Sequence, residues 1–150
     1  MSDHSTRSPI GFVYNDGGRS RAGYKGYAGD CAVRSIAIAT DLSYQEAYDL
    51  VNDFGAKERK GSRRRGTSNA RTGVHRPTFR RIMDHLEWSW TPTMKVGQGC
   101  KVHMRSDELP TGTLILNVSK HYCAVIDGVV HDTYRDDRNG TRCVYGYWSR

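Results

Sequence analysis

The feature of this chain that most limits how it can fold is a change of hydrophobic period near Trp88. Before that residue, apolar side chains recur at helical spacing. Ala47, Leu50, Val51 and Phe54 stand at i, i+3, i+4 and i+7, and Phe79, Ile82, Met83 and Leu86 repeat the stripe. Each stripe carries a start signal. Ser43 and Glu46 form an S-x-x-E capping box that predicts a helix over 43–54, and Pro77 suits the first turn of the other. Ahead of both, AVRSIAIA at 32–39 is apolar almost all round apart from Arg34 and Ser35, which predicts a helix buried at the centre of the domain. After Trp88 the pattern shortens to strand-like runs: WSWTPTM, CKVHM, TLILNVS, HYCAVI, VVHDTY and RCVYGYW. Asp127-Gly128 between two of them is a two-residue hairpin signal. Helices first and antiparallel strands second make an α+β domain. At 150 residues there is room for one core, so a single domain over 1–150 is expected. Residues 1–10 read as a frayed polar tail, and the Gly-rich stretch 11–29 as an irregular segment laid on the body.

The net charge of +7 is local. Residues 56–81 hold ten basic side chains against one acid, Glu58, whereas the rest of the chain holds 13 basic and 15 acidic residues. The Gly/Ser-punctuated part of that segment predicts a mobile basic loop over 56–73. Nucleic acid or another polyanion is the partner such a loop would take, with Arg63, Arg64 and Arg65 as its contacts. No aromatic residue interleaves these cations to stack on bases. No run of 18 apolar residues occurs, and MSDHSTRSP at the N-terminus has no apolar core of a signal peptide. A cytoplasmic protein with no membrane partner is therefore expected. The cysteines at 31, 100, 123 and 143 are expected to be reduced. Cys100-x-x-His103 and His121-x-Cys123 match no zinc-finger or zinc-ribbon spacing, so no metal is expected.

Two short segments carry chemistry. Gly29-Asp30-Cys31 leads straight into the apolar helix. Free backbone N–H groups and the helix dipole stabilise a thiolate at such a position, and Asp30 is a natural N-cap. The second segment is the hairpin 121–134. With Asp127-Gly128 as its turn, Ile126 faces Val129, Cys123 faces Asp132 and His121 faces Tyr134. His121 and Asp132 then project to one side as diagonal neighbours about 7–8 Å apart at the backbone, and His131 points to the other. A carboxylate so placed holds an imidazole in one tautomer and stabilises its protonated form. His75, His103 and His131 read as surface or hydrogen-bonded residues, and Cys123 as a small packed one.

A helix-borne Cys, a strand-borne His and a next-strand Asp, in that order, resemble the papain-like cysteine peptidase superfamily. The likeness is to its small bacterial and phage branches. GDCAVRSIAIAT resembles the Asp-Cys helix start of bacteriocin-processing peptidases, and HYCAVIDGVVHD resembles the His-bearing hairpin of small cell-wall peptidases of the NlpC type. The whole chain is also similar to a family of bacterial and phage proteins sharing the AGYKG..GDC and HDTY..TRCVYGYW blocks, a resemblance that implies no activity but admits association with a virion. The superfamily resemblance implies a papain-like fold, with the Cys-bearing helix packed on a C-terminal antiparallel sheet. It implies a peptidase or amidase cleaving an amide or isopeptide bond of a peptide or amide substrate through Cys31, His121 and Asp132, without a cofactor. Papain-like enzymes often carry a Gln six residues before the nucleophile as an oxyanion donor; here that position is Lys25. Lys25, Tyr24 and Tyr27 are the candidate replacements, beside the Cys31 N–H. The missing Gln keeps two alternatives open: a non-catalytic binding or phage structural protein on the same fold, and a nucleic-acid-binding protein acting through 57–81.

Overall fold

The helical stripes become helices α1 (Cys31–Ala39), α2 (Tyr44–Ala56) and α3 (Arg76–His85) in the computed structural model, which describes residues 10–26, 28–58 and 66–150. The capping box of α2 is complete. The Ser43 hydroxyl accepts the Glu46 N–H at 3.1 Å, and the Glu46 carboxylate accepts the Ser43 N–H at 2.9 Å. Such a cap contributes about 1 kcal/mol. Ala47 and Val51 of α2 and Phe79, Ile82 and Met83 of α3 enclose Ala32, Val33 and Ile36 of α1, and the three helices cover Ile115, Tyr122 and Trp148 of the sheet. Phe79 seals this layer, stacked on Tyr122 at 4.0 Å and edge-on to Trp148 at 4.9 Å.

Six strands form one sheet: β1 (Gly11–Tyr14), β2 (Ser89–Pro92), β3 (Thr113–Val118), β4 (His121–Ile126), β5 (Val129–Asp132) and β6 (Gly146–Ser149). Their spatial order is β1-β5-β4-β3-β6-β2. The domain is α+β, and the sheet is mixed rather than wholly antiparallel as expected, because β1 joins the edge parallel to β5. Gly11–Tyr14 carries no alternation of buried and exposed residues, so nothing local marks it as a strand; its ladder is supplied by residues more than a hundred positions away. The hairpin keeps the register read from its turn. Ile126 pairs with Val129, Val125 with Val130 and Ala124 with His131. Asp127 and Gly128 have φ of 48° and 76°, as a type I′ turn requires. Alternation then sends Leu114, Leu116, Cys123, Val125 and Val130 into a second apolar layer, with Ile10, Met104 and Val144, on the face away from the helices.

Three further expectations are corrected. CKVHM and the first half of RCVYGYW are not strands; one isolated bridge, His103 to Cys143, joins them, and a Cys100–Cys143 disulfide ties them together. These two cysteines are paired, not reduced, with Cα atoms 5.9 Å apart across a separation of 43 residues that no spacing rule marks. The basic loop is docked along its second half. Glu58 accepts the Ser68 N–H at 2.8 Å and the Thr78 hydroxyl, Asn52 accepts the Ala70 N–H at 2.8 Å, and Ser68 and Ala70 are buried. Polar anchors of this kind leave no periodic trace in a sequence. Gly55 is what admits the segment: a Cβ there would lie 1.9 Å from the Ser68 carbonyl oxygen. Arg63, Arg64 and Arg65 lie outside the described residues, as do residues 1–9, whereas Ile10 of the expected tail is buried. No helix among the described residues is long and apolar enough to cross a membrane.

Candidate active site

The strand order puts β4 at the middle of the sheet, so its first residue, His121, stands where the ends of α1, β4 and β5 converge. Cys31 is the first residue of α1 and Asp132 the last of β5. The three meet. His121 Nε2 lies 2.7 Å from Asp132 Oδ2, and the His121 ring stands beside the Cys31 sulfur, close enough for its charge to act on the thiol. With Nε2 engaged by the carboxylate, Nδ1 is the nitrogen left for the thiol. His131 is turned elsewhere, its Nδ1 at 3.3 Å from the Asn15 side-chain amide. His103 is likewise bound away from the site, to Glu108, and His75 lines the cleft with its ring nitrogen bonded to the Gly66 carbonyl.

Burial alone would raise the Cys31 thiol. The hydrogen bond and charge of His121, the Tyr122 backbone and the nearby Arg34 outweigh it and hold the thiol below its ordinary value. Burial likewise pulls the His121 imidazole down, but its hydrogen bond to Asp132 and the contact with Cys31 push it up to about 9. For Asp132, burial opposes ionisation; the bond and charge of His121, the Thr133 N–H at 2.7 Å and Arg34 keep the carboxyl below its usual range. These directions agree with one another. Each favours the thiolate–imidazolium form of the Cys31–His121 pair over the neutral one, above an ionised Asp132.

Arg34 and Asp30 hold this arrangement, and neither role is visible from spacing alone. Asp30 occupies the N-cap position of α1 without making a cap bond. Its buried carboxylate instead accepts from the Arg34 guanidinium and from the Tyr44 hydroxyl at 2.6 Å, and meets Arg19 Nε at 3.4 Å. Arg34 Nη2 also reaches Asp132 Oδ1 at 3.2 Å. The guanidinium therefore clamps the helix that carries Cys31 to the strand that carries Asp132. Two arginines also neutralise Asp30, whose charge would otherwise oppose the thiolate. An arginine inside an otherwise apolar helix, four residues after an aspartate, was the available sequence signal, because a buried charge needs partners.

The cleft over these residues has a volume of about 960 Å³ and is lined among others by Asn117, Lys120, Arg76 and Tyr134. Of the candidate oxyanion donors, Lys25 is exposed and lies outside this lining. The Tyr24 hydroxyl is spent on Gln45 at 2.5 Å, and its ring stacks on Tyr48 at 4.7 Å. Tyr27 is outside the described residues. The Cys31 N–H remains, since the first-turn N–H groups of a helix have no partner within it. Among the described residues no group of three His, Cys, Asp or Glu side chains could hold a metal ion. No protein-family model, curated protein or solved structure matches this chain.

Proposed function

We propose that this chain is a cysteine hydrolase of papain-like architecture that cleaves an amide or isopeptide bond. The observation that carries the reading is the single imidazole, His121, bound through Nε2 to Asp132 at 2.7 Å and set beside the Cys31 thiol at the start of α1. In the first step the Cys31 sulfur attacks the carbonyl carbon while the Cys31 N–H donates to the oxygen as it gains charge. The C–N bond breaks, a thioester forms, and the proton held on His121 leaves with the amine. Water then attacks the thioester. His121 takes its proton, the acid departs, and the sulfur returns as the thiolate. Asp132 keeps the ring oriented throughout and stabilises its charged form.

Alkylation by iodoacetamide across pH, read by mass spectrometry, tests the reading inside one molecule. Cys31 is expected to label at pH 6 to 7, well below the value of about 8.5 at which an ordinary thiol ionises. Cys123 serves as the internal reference, being buried and held protonated. Labelling of Cys31 that follows an ordinary thiol curve would overturn the enzyme and leave a binding protein on the same fold.

A further inference from the structure

The cleft is polarised, and its charges are not all used. Arg19 and Arg34 are consumed by Asp30 and Asp132. Arg76 and Lys120 also line the cleft, and among the described residues neither forms an ion pair with a carboxylate. The sheet order places both to one side of Cys31. Lys120 is in the turn between β3 and β4, and Arg76 lies over the Trp90 ring of β2 at 5.6 Å, on the β6 side. The acid of the lining outside the triad network, Asp16, follows β1 on the opposite side, where the Gly18 and Ser20 N–H groups hold its two oxygens.

Arg76 is also pre-positioned. Trp90 lies 4.4 Å from Trp148 and directly over Gly146, where a Cβ would come within 2.3 Å of the indole, so the platform under the guanidinium is rigid. On the same side, Asn117 of β3 stands opposite Gly146 and Tyr122, is 6% exposed, and has a buried side-chain N–H with no partner. A buried donor left empty at the wall of a cleft is costly unless a ligand fills it.

Taking the hydrolase reading as its basis, we infer that the substrate carries a carboxylate close to the scissile bond, received by Arg76 and Lys120, with the Asn117 amide donating to an oxygen of the same portion of the substrate. The substrate class is thus an acidic peptide or a carboxylate-bearing amide, oriented with its anionic group toward β3 and β6. Guanidinium groups favour carboxylates because two N–H donors match the two oxygens.

Two alkylating probes that differ in charge test this on the full chain without knowledge of the substrate. Iodoacetate carries a carboxylate and iodoacetamide does not, and both react with the same sulfur. The ratio of their rates at Cys31 is the readout, which cancels any change in thiolate content. Arg76→Gln is expected to lower the ratio roughly three- to tenfold, adding Lys120→Gln to lower it further, and raised salt to shrink the effect. Arg80→Gln, exposed on the same helix and outside the cleft lining, should leave it unchanged. A ratio indifferent to Arg76→Gln and to the double variant overturns the inference. Slow labelling by both probes with an ordinary pH profile instead overturns the hydrolase reading, so the two failures are separable.

Discussion

Cys31, half-buried in the cleft beside His121, and Cys123, buried beside Asp132 in the apolar layer behind the sheet, titrate in opposite directions. Burial raises both. At Cys123 burial is joined by the charge of Asp132, and the thiol is driven far above its ordinary value. At Cys31 the same penalty is overcome by an imidazole and Arg34. Proximity to a carboxylate therefore does not make a reactive thiol. An intervening imidazole does, because it turns the carboxylate from a repulsive neighbour into the support of a cation.

The two regions should also respond differently to mutation, and the largest difference lies in stability. Arg34→Met leaves Asp30 and Asp132 buried without their shared cation and should cost about 3–5 kcal/mol at neutral pH. The loss should shrink as pH falls and Asp132, no longer held ionised by Arg34, protonates. Leu116→Ala in the layer behind the sheet should cost a similar 2–5 kcal/mol with no such pH dependence. Urea melts at pH 4.5 and 7 compare them, and parallel pH behaviour would show that the Arg34 network is not charged. Next in size, His121→Ala should slow iodoacetamide labelling of Cys31 at pH 6.5 about a hundredfold, as the thiol returns toward an ordinary pKa near 8.5. Cys123 should stay unlabelled in both proteins until they unfold; labelling of folded Cys123 would erase the contrast.

A smaller effect concerns the pH dependence of folding. His121 is raised to about 9 in the folded state, so its contribution is complete below its unfolded value near 6.5 and is lost as pH rises through about 9. Cys31 is lowered, so its contribution is complete above about 8.5 and is lost as pH falls. Between 6.5 and 8.5 the unfolded chain holds one proton on these two groups; wherever the folded pair is thiolate and imidazolium it also holds one, and there the stability they supply should be flat. Cys31→Ala removes one partner, and stability should then decline from about pH 6.5 upward, by roughly 2 kcal/mol at pH 9. Thermal melts of both proteins across pH measure the difference; superimposable profiles would rule out the ion pair. Smallest is Glu58→Ala, which releases Ser68 and Thr78 and should cost about 1–2 kcal/mol by chemical denaturation, with Cys31 labelling unchanged. A null effect would return 66–73 to the status of a free loop.

Much of the candidate site was legible in local pattern. The Asp-Cys start of α1 and the Asp127-Gly128 turn each need only neighbouring residues, and the turn alone sets the hairpin register that brings His121 diagonal to Asp132. Arg34 was visible as an exception within an apolar helix, but its double partnership was not, since Asp30 is four residues away and Asp132 is 98. The candidacy of Tyr24 and Lys25 as oxyanion donors rests on distance along the chain from Cys31. The packing of Tyr24 against Tyr44 and Tyr48 shows why that measure fails in an irregular segment.

The amino-acid sequence by itself determined the three helices, the cap of α2, the order of helices before most of the strands, and the face shared by His121 and Asp132. Each follows from side-chain period or turn stereochemistry over fewer than about twenty residues. Tertiary structure alone decided the parallel seat of β1 on β5, the Cys100–Cys143 disulfide, the docking of 66–73 on α2, and the placing of Arg76 over Trp90. All four join segments whose proximity depends on the strand order of the sheet or the packing of helices on it. Long-range pairing of that kind is selected by the burial and hydrogen bonding of the whole domain, which leaves no periodic mark on either partner.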